Sequence, residues 1–480
     1  MASEIRVNKI INRSGLSTVT FSDTGAIVSG IVTANSFSGN VTGNLTGDVT
    51  GSGANLTSIP AGQLTGTVAD ARLSTVSSSK LSGALPALDG SALTGVGASF
   101  GNSSVNTTGI ITATSFVPTT GQLSHRNLII NGAMQVAQRG TSSTTSGYGD
   151  VDRWQHEYST TNEAPTFSQV EVVSSDSGDN PFAKGFSNCA RITNGNQTSG
   201  LQAGTQINFM QPIEAQNLRN SGWNYNSSSS YITLSYYVKA SVSQEYFGFV
   251  KTADGSNYMY RFSLGTLTAN TWTKITKTIP GNSNLQIDNN NGAGFQVWPV
   301  AFYGTNYTGS SSLPHDTWTS WNSGERTRDQ ATNWYTTNDA TFEITGVQLE
   351  VGPVATPFEH LSFGEELIRC QRYYETCHSY GTPFGTNTPE GKFLQNGSTN
   401  GAGNQQTTIY FRTTKRANPT VTGHYDGTVG SWYGARSGAA AVTSVSFDLI
   451  GMNSFRAYNA IGANFAASEQ IGHWQAEAEL

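Results

Sequence analysis

The chain has 480 residues and a net charge of −6, with 12% of residues charged, 10% aromatic and 53 glycines. The charged share is about half that of ordinary soluble domains, and the aromatic share is too high for a disordered chain. Turn-rich β structure with a neutral surface of Asn, Ser and Thr fits this mix. No basic stripe is present to attract nucleic acid, and no apolar run is long enough for insertion into a membrane.

The N-terminal residues MASEIRVNKI carry charges where a secretory signal needs an apolar core. Synthesis and assembly in a cytoplasm are therefore expected. Three cysteines, Cys189, Cys370 and Cys377, are too sparse and too odd in number for a disulfide framework.

Up to about residue 125 the sequence contains neither Trp nor Tyr; the first of each are Trp154 and Tyr148. Gly39–Gly51 reads GNVTGNLTGDVTG, with glycine at every fourth position and Val41, Leu45 and Val49 midway between. A side-chain period of two gives this stretch one thin apolar face and one polar face. Such a face cannot form a core alone and needs stacked neighbours or partner chains. The spacing of x-Leu-[Ser/Thr]-Gly, ending at Gly47, Gly66, Gly83 and Gly95, is too uneven for a regular solenoid. Three chains with Val41, Leu45 and Val49 on a common axis satisfy the pattern; a flexible linker is the competing reading. A trimer axis makes Leu45→Asp disruptive and Asn44→Asp nearly neutral, with light scattering reading the loss of the trimer mass. Equal assembly of both variants returns the stretch to a linker.

From about Gln122 the sequence changes character. Asn127-Leu-Ile-Ile-Asn-Gly ends an apolar run in a turn signal. Alternating segments follow at Tyr231–Val238, Tyr246–Val250, Trp272–Ile279, Phe295–Phe302 and Phe342–Val351, separated by Gly/Asn-rich turns. They predict a sandwich or jelly roll that ends near His360. Phe363–Tyr380 reads as a helix: Phe363, Leu367, Cys370, Tyr374 and Cys377 form a heptad stripe, with Ser362 as N-cap and Glu365 at N3. Leu367, Cys370 and Tyr374 are trimer-axis candidates, against packing on the chain's own domain. Beyond Gly381, Gln405–Thr413 and Ala441–Leu449 predict strands of a small β domain carried on the helix.

Several blocks resemble tail fibre-like proteins of bacteriophages, especially those of marine cyanobacteria. They are EIRVNKIINRSGLSTVTFSDTG near the start, the GN[V/L]TG repeats and LPALDGSALTG at Leu85–Gly95. RNLIINGAMQVAQRGTS at Arg126–Ser142 and DVDRW at Asp150–Trp154 are similar to the opening of a carbohydrate-module-like jelly roll in phage fibres. ITGVQLEVGPVATPFEH at Ile344–His360 is similar to its closing strand. ELIRCQRYYE at Glu366–Glu375, FRTTKRANPTVTG at Phe411–Gly423 and the terminal WQAEAEL are similar to the following helix and distal β domain.

The resemblance implies a mainly β, elongated, homotrimeric virion fibre. Its parts would be an attachment segment over 1–25, a Gly/Thr-rich β shaft over 26–125, a jelly-roll β-sandwich domain over 126–360, and one short helix plus a small C-terminal β domain over 361–480. The N-terminus would join other tail or baseplate proteins, and the distal part would meet a host surface glycan or lipopolysaccharide. The longer globular attachment domain of some short-tailed phage fibres is not apparent, which leaves baseplate, tail hub, collar and capsid as attachment points.

Chemistry has little footing. Seven histidines are scattered at 125, 156, 315, 360, 378, 424 and 473, without a metalloprotease or nucleophile-elbow motif. Cys370, Cys377 and His378 read as buried neighbours rather than ligands. No catalytic residue, cofactor or metal is expected. A depolymerase tailspike is the enzymatic alternative, and it would need paired carboxylates such as Asp150 with Asp152 or Glu325 with Asp329. A collar, baseplate or head fibre without a receptor is the structural alternative. For glycan stacking, the aromatic-rich span Tyr303–Tyr335 offers Trp318, Trp321, Trp334 and Tyr335, either as sugar platforms or as loop anchors. Tyr425, Trp432 and Tyr433 in the distal domain form a second candidate cluster.

Overall fold

A computed structural model describes residues 124–397, 405–436, 439–444, 446–459 and 468–480, together with 9–11, 17–23, 25–28, 31, 35, 42 and 43. The chain divides into two compact units, Met1–Ile110 and Ile111–Leu480. In the first, Lys9–Ile11, Ser17–Ser22 and Gly25–Val28 form an antiparallel meander. Val41, Leu45 and Val49 lie outside the described residues.

The second unit is built on a two-sheet β-sandwich of jelly-roll type. Among the described residues, one sheet has seven strands in the order Ser142–Ser143, Thr166–Glu171, Asn188–Thr193, Thr341–Val351, Tyr231–Ala240, Thr271–Pro280 and Ser177–Gly178. The other has six antiparallel strands in the order Trp318–Ser320, Tyr258–Thr266, Glu245–Thr252, Ala293–Tyr303, Gln206–Glu214 and Gln155–Ser159. Strands next to each other in the sequence repeatedly fall in opposite sheets, as a sandwich with crossing connections requires. The alternating segments predicted from sequence are all strands, each extended by one to three residues.

Period-two alternation decides which side chains meet between the sheets. In Tyr231–Ala240, Ile232, Leu234, Tyr236, Val238 and Ala240 enter the main core, and Thr233, Ser235, Tyr237 and Lys239 face outward. Phe209, Ile213, Phe295 and Val297 close that core from the six-stranded sheet. Each such side chain contributes roughly 1.5–3 kcal/mol of burial.

The helix is shorter than the heptad stripe predicts. It spans Phe363–Gln371 and opens on a capping box, with the Ser362 side chain and backbone engaged by the Glu365 backbone and carboxylate. Tyr374 lies beyond it, in the strand Tyr374–Thr376, which pairs with Ser468–Glu477. Cys370 and Tyr374 are 0% and 1% exposed inside this chain, Cys370 beside Ile130, Val136 and Tyr373. Leu367 packs partly against the same cluster. A trimer axis through Cys370 and Tyr374 is thereby corrected, because both side chains already fill the chain's own core. Among the described residues, two further short α-helices occur, Ala215–Arg219 and Asn333–Thr336.

The C-terminal β module has a small core of Ile409, Val421, Phe455, Ala457, Trp474 and Ala476. It is not simply carried on the helix. Arg372 and the Tyr373 hydroxyl both reach the Glu214 carboxylate of the sandwich. Arg416 donates to the Asn291 carbonyl at 2.7 Å.

Candidate functional site

The aromatic span Tyr303–Tyr335 divides between two clusters: Trp318, Trp334 and Tyr335 join the main core between the sheets, and Tyr303, Tyr307 and Trp321 pack with Phe249 and Trp298 in a separate one. Trp334 and Tyr335 are fully buried and Trp318 is 9% exposed. The Trp318 indole donates to the Pro280 carbonyl, and the Trp334 indole to the Thr341 carbonyl. Tyr335 stacks on Phe302 with ring centres 4.9 Å apart. These three are corrected from sugar platforms to loop anchors: their faces are covered by protein. Trp321 is half-buried, but Arg326 lies 5.4 Å from its ring and Lys251 4.7 Å. Arg326 also approaches the rings of Tyr307, Tyr303 and Trp298, at 4.4, 5.6 and 6.0 Å. Cation–π attraction to several rings ties this loop down. In the C-terminal module, Tyr425 is half-buried under Lys392, 4.5 Å from its ring. Trp432 and Tyr433 are placed on the strand Ser431–Arg436, and their side chains lie outside the description.

A concave site lies on the outer face of the seven-stranded sheet. A groove of about 480 Å³ has Ser235, Tyr237, Lys274 and Gly346 on its floor, with walls from Asp179–Phe186 and Ala355–His360. The floor follows from strand alternation, since Tyr237 belongs to the outward stripe of Tyr231–Ala240. Gly346 belongs to a bulge: Ser235 pairs with Gln348 and Tyr237 with Thr345, so Gly346 and Val347 face Tyr236. Gly346 has φ +62°, and a Cβ there would sit 2.8 Å from Phe186 Cζ and 3.0 Å from Tyr237 Cδ2. Only glycine keeps this floor open.

The first wall is held by Asn180, which caps the short 3-10 helix Pro181–Lys184 and donates to the Val173 and Asp176 carbonyls. The second wall is held by Glu350, whose carboxylate accepts from the Thr356 backbone and hydroxyl. The two walls meet through rings. Phe186 lies 4.8 Å from both Phe358 and His360, and 5.6 Å from Tyr237. His360 Nε2–H donates to the Lys184 carbonyl at 3.0 Å. Burial first, and Asp179 second, push the Tyr237 phenol above its ordinary pKa. Lys184 and Asp179 are exposed at the margin, and Lys274 is exposed on the floor. An aromatic surface with a few convergent polar groups is the usual make-up of a small-ligand site.

Of the paired carboxylates, Asp150, Asp152 and Asp329 bond groups of the chain, and Glu325 is exposed. Asp150 bonds His156 Nε2, and Asp152 accepts from the Gln138 side chain and backbone. Both aspartates are 1% exposed. Asp329 accepts from the Thr308 hydroxyl at 2.6 Å.

Sequence reasoning missed a convergence of three histidines. His378, His424 and His473 meet in the C-terminal module, all buried, with one ligand atom of each within 4.8 Å of the others. Their sequence separation hid this. A signal existed in the two strands that carry His424 and His473, but it required their register.

No protein-family model and no curated protein matches the chain. Among solved structures it is similar to the enzymatically active domain of tailspike protein 4 of bacteriophage CBA120, at 12% identity and TM-score 0.24, over 47% of this chain and 21% of that one. The chain thus matches about a fifth of that domain's length. It is also similar to a putative sugar binding protein from Bacteroides thetaiotaomicron, at 12% identity and TM-score 0.25, over 47% of this chain and 100% of that one. A third similarity is to a xylan-binding domain from Paenibacillus barcinonensis, at 8% identity and TM-score 0.24, over 50% and 100% of the two chains. These scores are low, and the sandwich assignment rests on the strand pairing itself.

Proposed function

We propose that this protein is a bacteriophage fibre that binds a saccharide of the host surface through the groove on the seven-stranded sheet. The groove is the observation that carries the reading: half-buried Phe358 is its accessible ring, backed by the buried rings of Phe186 and Tyr237, and Asp179, Lys184, Lys274 and Thr356 stand around it. Aromatic faces take the apolar face of a sugar ring while polar side chains take its hydroxyls. The phage assignment is supported by the residue blocks that resemble tail fibre-like proteins, most specifically LEVGPVATPFE and CQRYYE. That assignment brings with it a homotrimer, incorporation in the virion after assembly in the host cytoplasm, and contact of the N-terminus with other virion proteins. Three weak sites per trimer would give avidity without tight single contacts. The reading is non-enzymatic, since Asp150 and Asp152 are held by partners away from solvent.

Binding of fluorescent protein to host cells tests this. Phe358→Ala should weaken single-site affinity about tenfold, equivalent to roughly 1.4 kcal/mol. The loss combines an aromatic contact of about 0.5–1.5 kcal/mol with its buried area. Lys274→Ala is a second, exposed probe that leaves the core untouched. Equal binding by both variants and the parent would remove the groove from the reading. No host binding at all, with the protein imaged at the collar, would leave a structural fibre.

A further inference from the structure

We infer that His378, His424 and His473 form a binding site for a transition-metal ion of the zinc, nickel or copper class. His424 ends the strand Thr420–His424 and faces His473 directly across the pairing with Ser468–Glu477. Side chains opposed in this way stand about 4.5–5.5 Å apart at Cβ. His378 enters from the segment after Tyr374–Thr376, where its backbone N–H donates to the Thr376 hydroxyl. His424 and His473 are 0% exposed and His378 is 4% exposed.

Hydrogen bonding within the chain does not explain this cluster. His378 Nε2 and His424 Nε2 stand 3.0 Å apart. Gly385 N–H points at His424 Nε2 and Gly427 N–H at His424 Nδ1, each at 3.1 Å. A neutral imidazole has one nitrogen lone pair and can accept only one of these. His378 Nδ1 is buried with no hydrogen-bond partner. Neutral imidazole is the form that ligates metal.

The dimensions allow an ion after a modest movement. Metal–nitrogen bonds of about 2.0–2.1 Å hold two ligand atoms no more than about 4.2 Å apart. The His378–His424 pair already lies within that span, and no pair in the trio exceeds 4.8 Å. The rings now stack, His378 on His473 at 3.9 Å and 7°, so ligation must turn them until their lone pairs converge. The terminal torsion of histidine is soft enough for this. It must also release the Gly385 contact. His473 Nε2–H donates to the Glu390 carbonyl at 3.0 Å, the kind of outer contact that orients a ligating imidazole through its other nitrogen. Lys392, the nearby cation, lies over the Tyr425 ring. Three imidazoles without a carboxylate favour zinc, nickel or copper over magnesium or calcium. Such an ion would pin the 377–392 segment to the sheet of the C-terminal module.

The test uses the full chain, stripped with a chelator and titrated with ZnCl₂ by calorimetry. One ion per chain and a raised melting temperature are expected. CoCl₂ should give the visible absorption of a four-coordinate site. His424→Asn and His378→Asn should each abolish stoichiometric binding, while His360→Asn, at the groove, should retain it. No stoichiometric zinc binding by the parent chain would overturn the inference. So would unchanged binding in His378→Asn and His424→Asn. If either variant fails to fold, the parent's titration and cobalt spectrum still decide.

Discussion

Replacing Lys415 by methionine is expected to destabilise the C-terminal module by about 3–5 kcal/mol, the usual loss when one member of a buried ion pair is removed. Lys415 Nζ bonds the Glu375 carboxylate, and the two side chains are 0% and 1% exposed. Nζ also donates to the Gln371 carbonyl, at the last turn of the helix. The Glu375 carboxylate accepts from the Arg412 backbone at 3.1 Å. One lysine therefore ties the end of the helix, the Tyr374–Thr376 strand and the 412–415 segment together. Burial pulls its ammonium below the ordinary lysine pKa, which reflects the desolvation that Glu375 must offset. Methionine matches the length of the aliphatic stem but leaves Glu375 charged and buried, with only the more exposed Arg412 guanidinium, 3.9 Å away, as a cation. The double variant Lys415→Met/Glu375→Leu should recover most of the loss, because both desolvation penalties then disappear. Urea unfolding with hydrogen exchange on the Thr420–His424 strand measures both. A Lys415→Met midpoint equal to the parent's would mean that the pair contributes nothing to the fold.

This ion pair marks where sequence reading ended. The sandwich strands were legible because their alternation is local: YITLSYYV places Ile232, Leu234, Tyr236 and Val238 on one face whatever the partner strand. Gln206–Glu214 was not legible. Pro212 and the polar residues Asn208 and Gln211 interrupt its pattern, yet the strand pairs on both sides. The helix was overextended because Tyr374 and Cys377 continue a heptad phase by coincidence. Tyr374 is buried by pairing with Ser468–Glu477, a strand about a hundred residues away, and periodicity carries no information about such a partner.

The candidate site was less legible than the fold. Counting aromatics pointed to Trp318, Trp334 and Tyr335, but density does not distinguish a platform from an anchor. Register does. Tyr237 is an aromatic in the middle of the mostly polar stripe Tyr231, Thr233, Ser235, Tyr237, Lys239, and such an exception is a better signal than a cluster of tryptophans. Phe186 and Phe358 join it from segments that only the folded sheet brings together.

Glu479→Ala should be equally damaging, at about 3–5 kcal/mol, through a different failure. Its carboxylate bonds Arg153 and also Arg139, the latter at 3.2 Å. Arg153 is 1% exposed and Arg139 9%, so both guanidiniums would lose their shared anion inside the protein. Arg153 already lies over the Tyr373 ring at 3.5 Å, and Arg139 over Tyr374 at 3.6 Å. The clasp therefore joins DVDRW of the sandwich, the residues after the helix, and the final strand. Buried charges are screened little by salt. The loss should therefore persist at high ionic strength, whereas breaking the more exposed Asp448–Arg456 pair should have little effect. None of these residues lines the Tyr237 groove. Below its unfolding temperature, Glu479→Ala should bind host cells as the parent does while its C-terminal module exchanges amide hydrogens faster. If binding falls together with stability, the module contributes to recognition and the groove does not act alone.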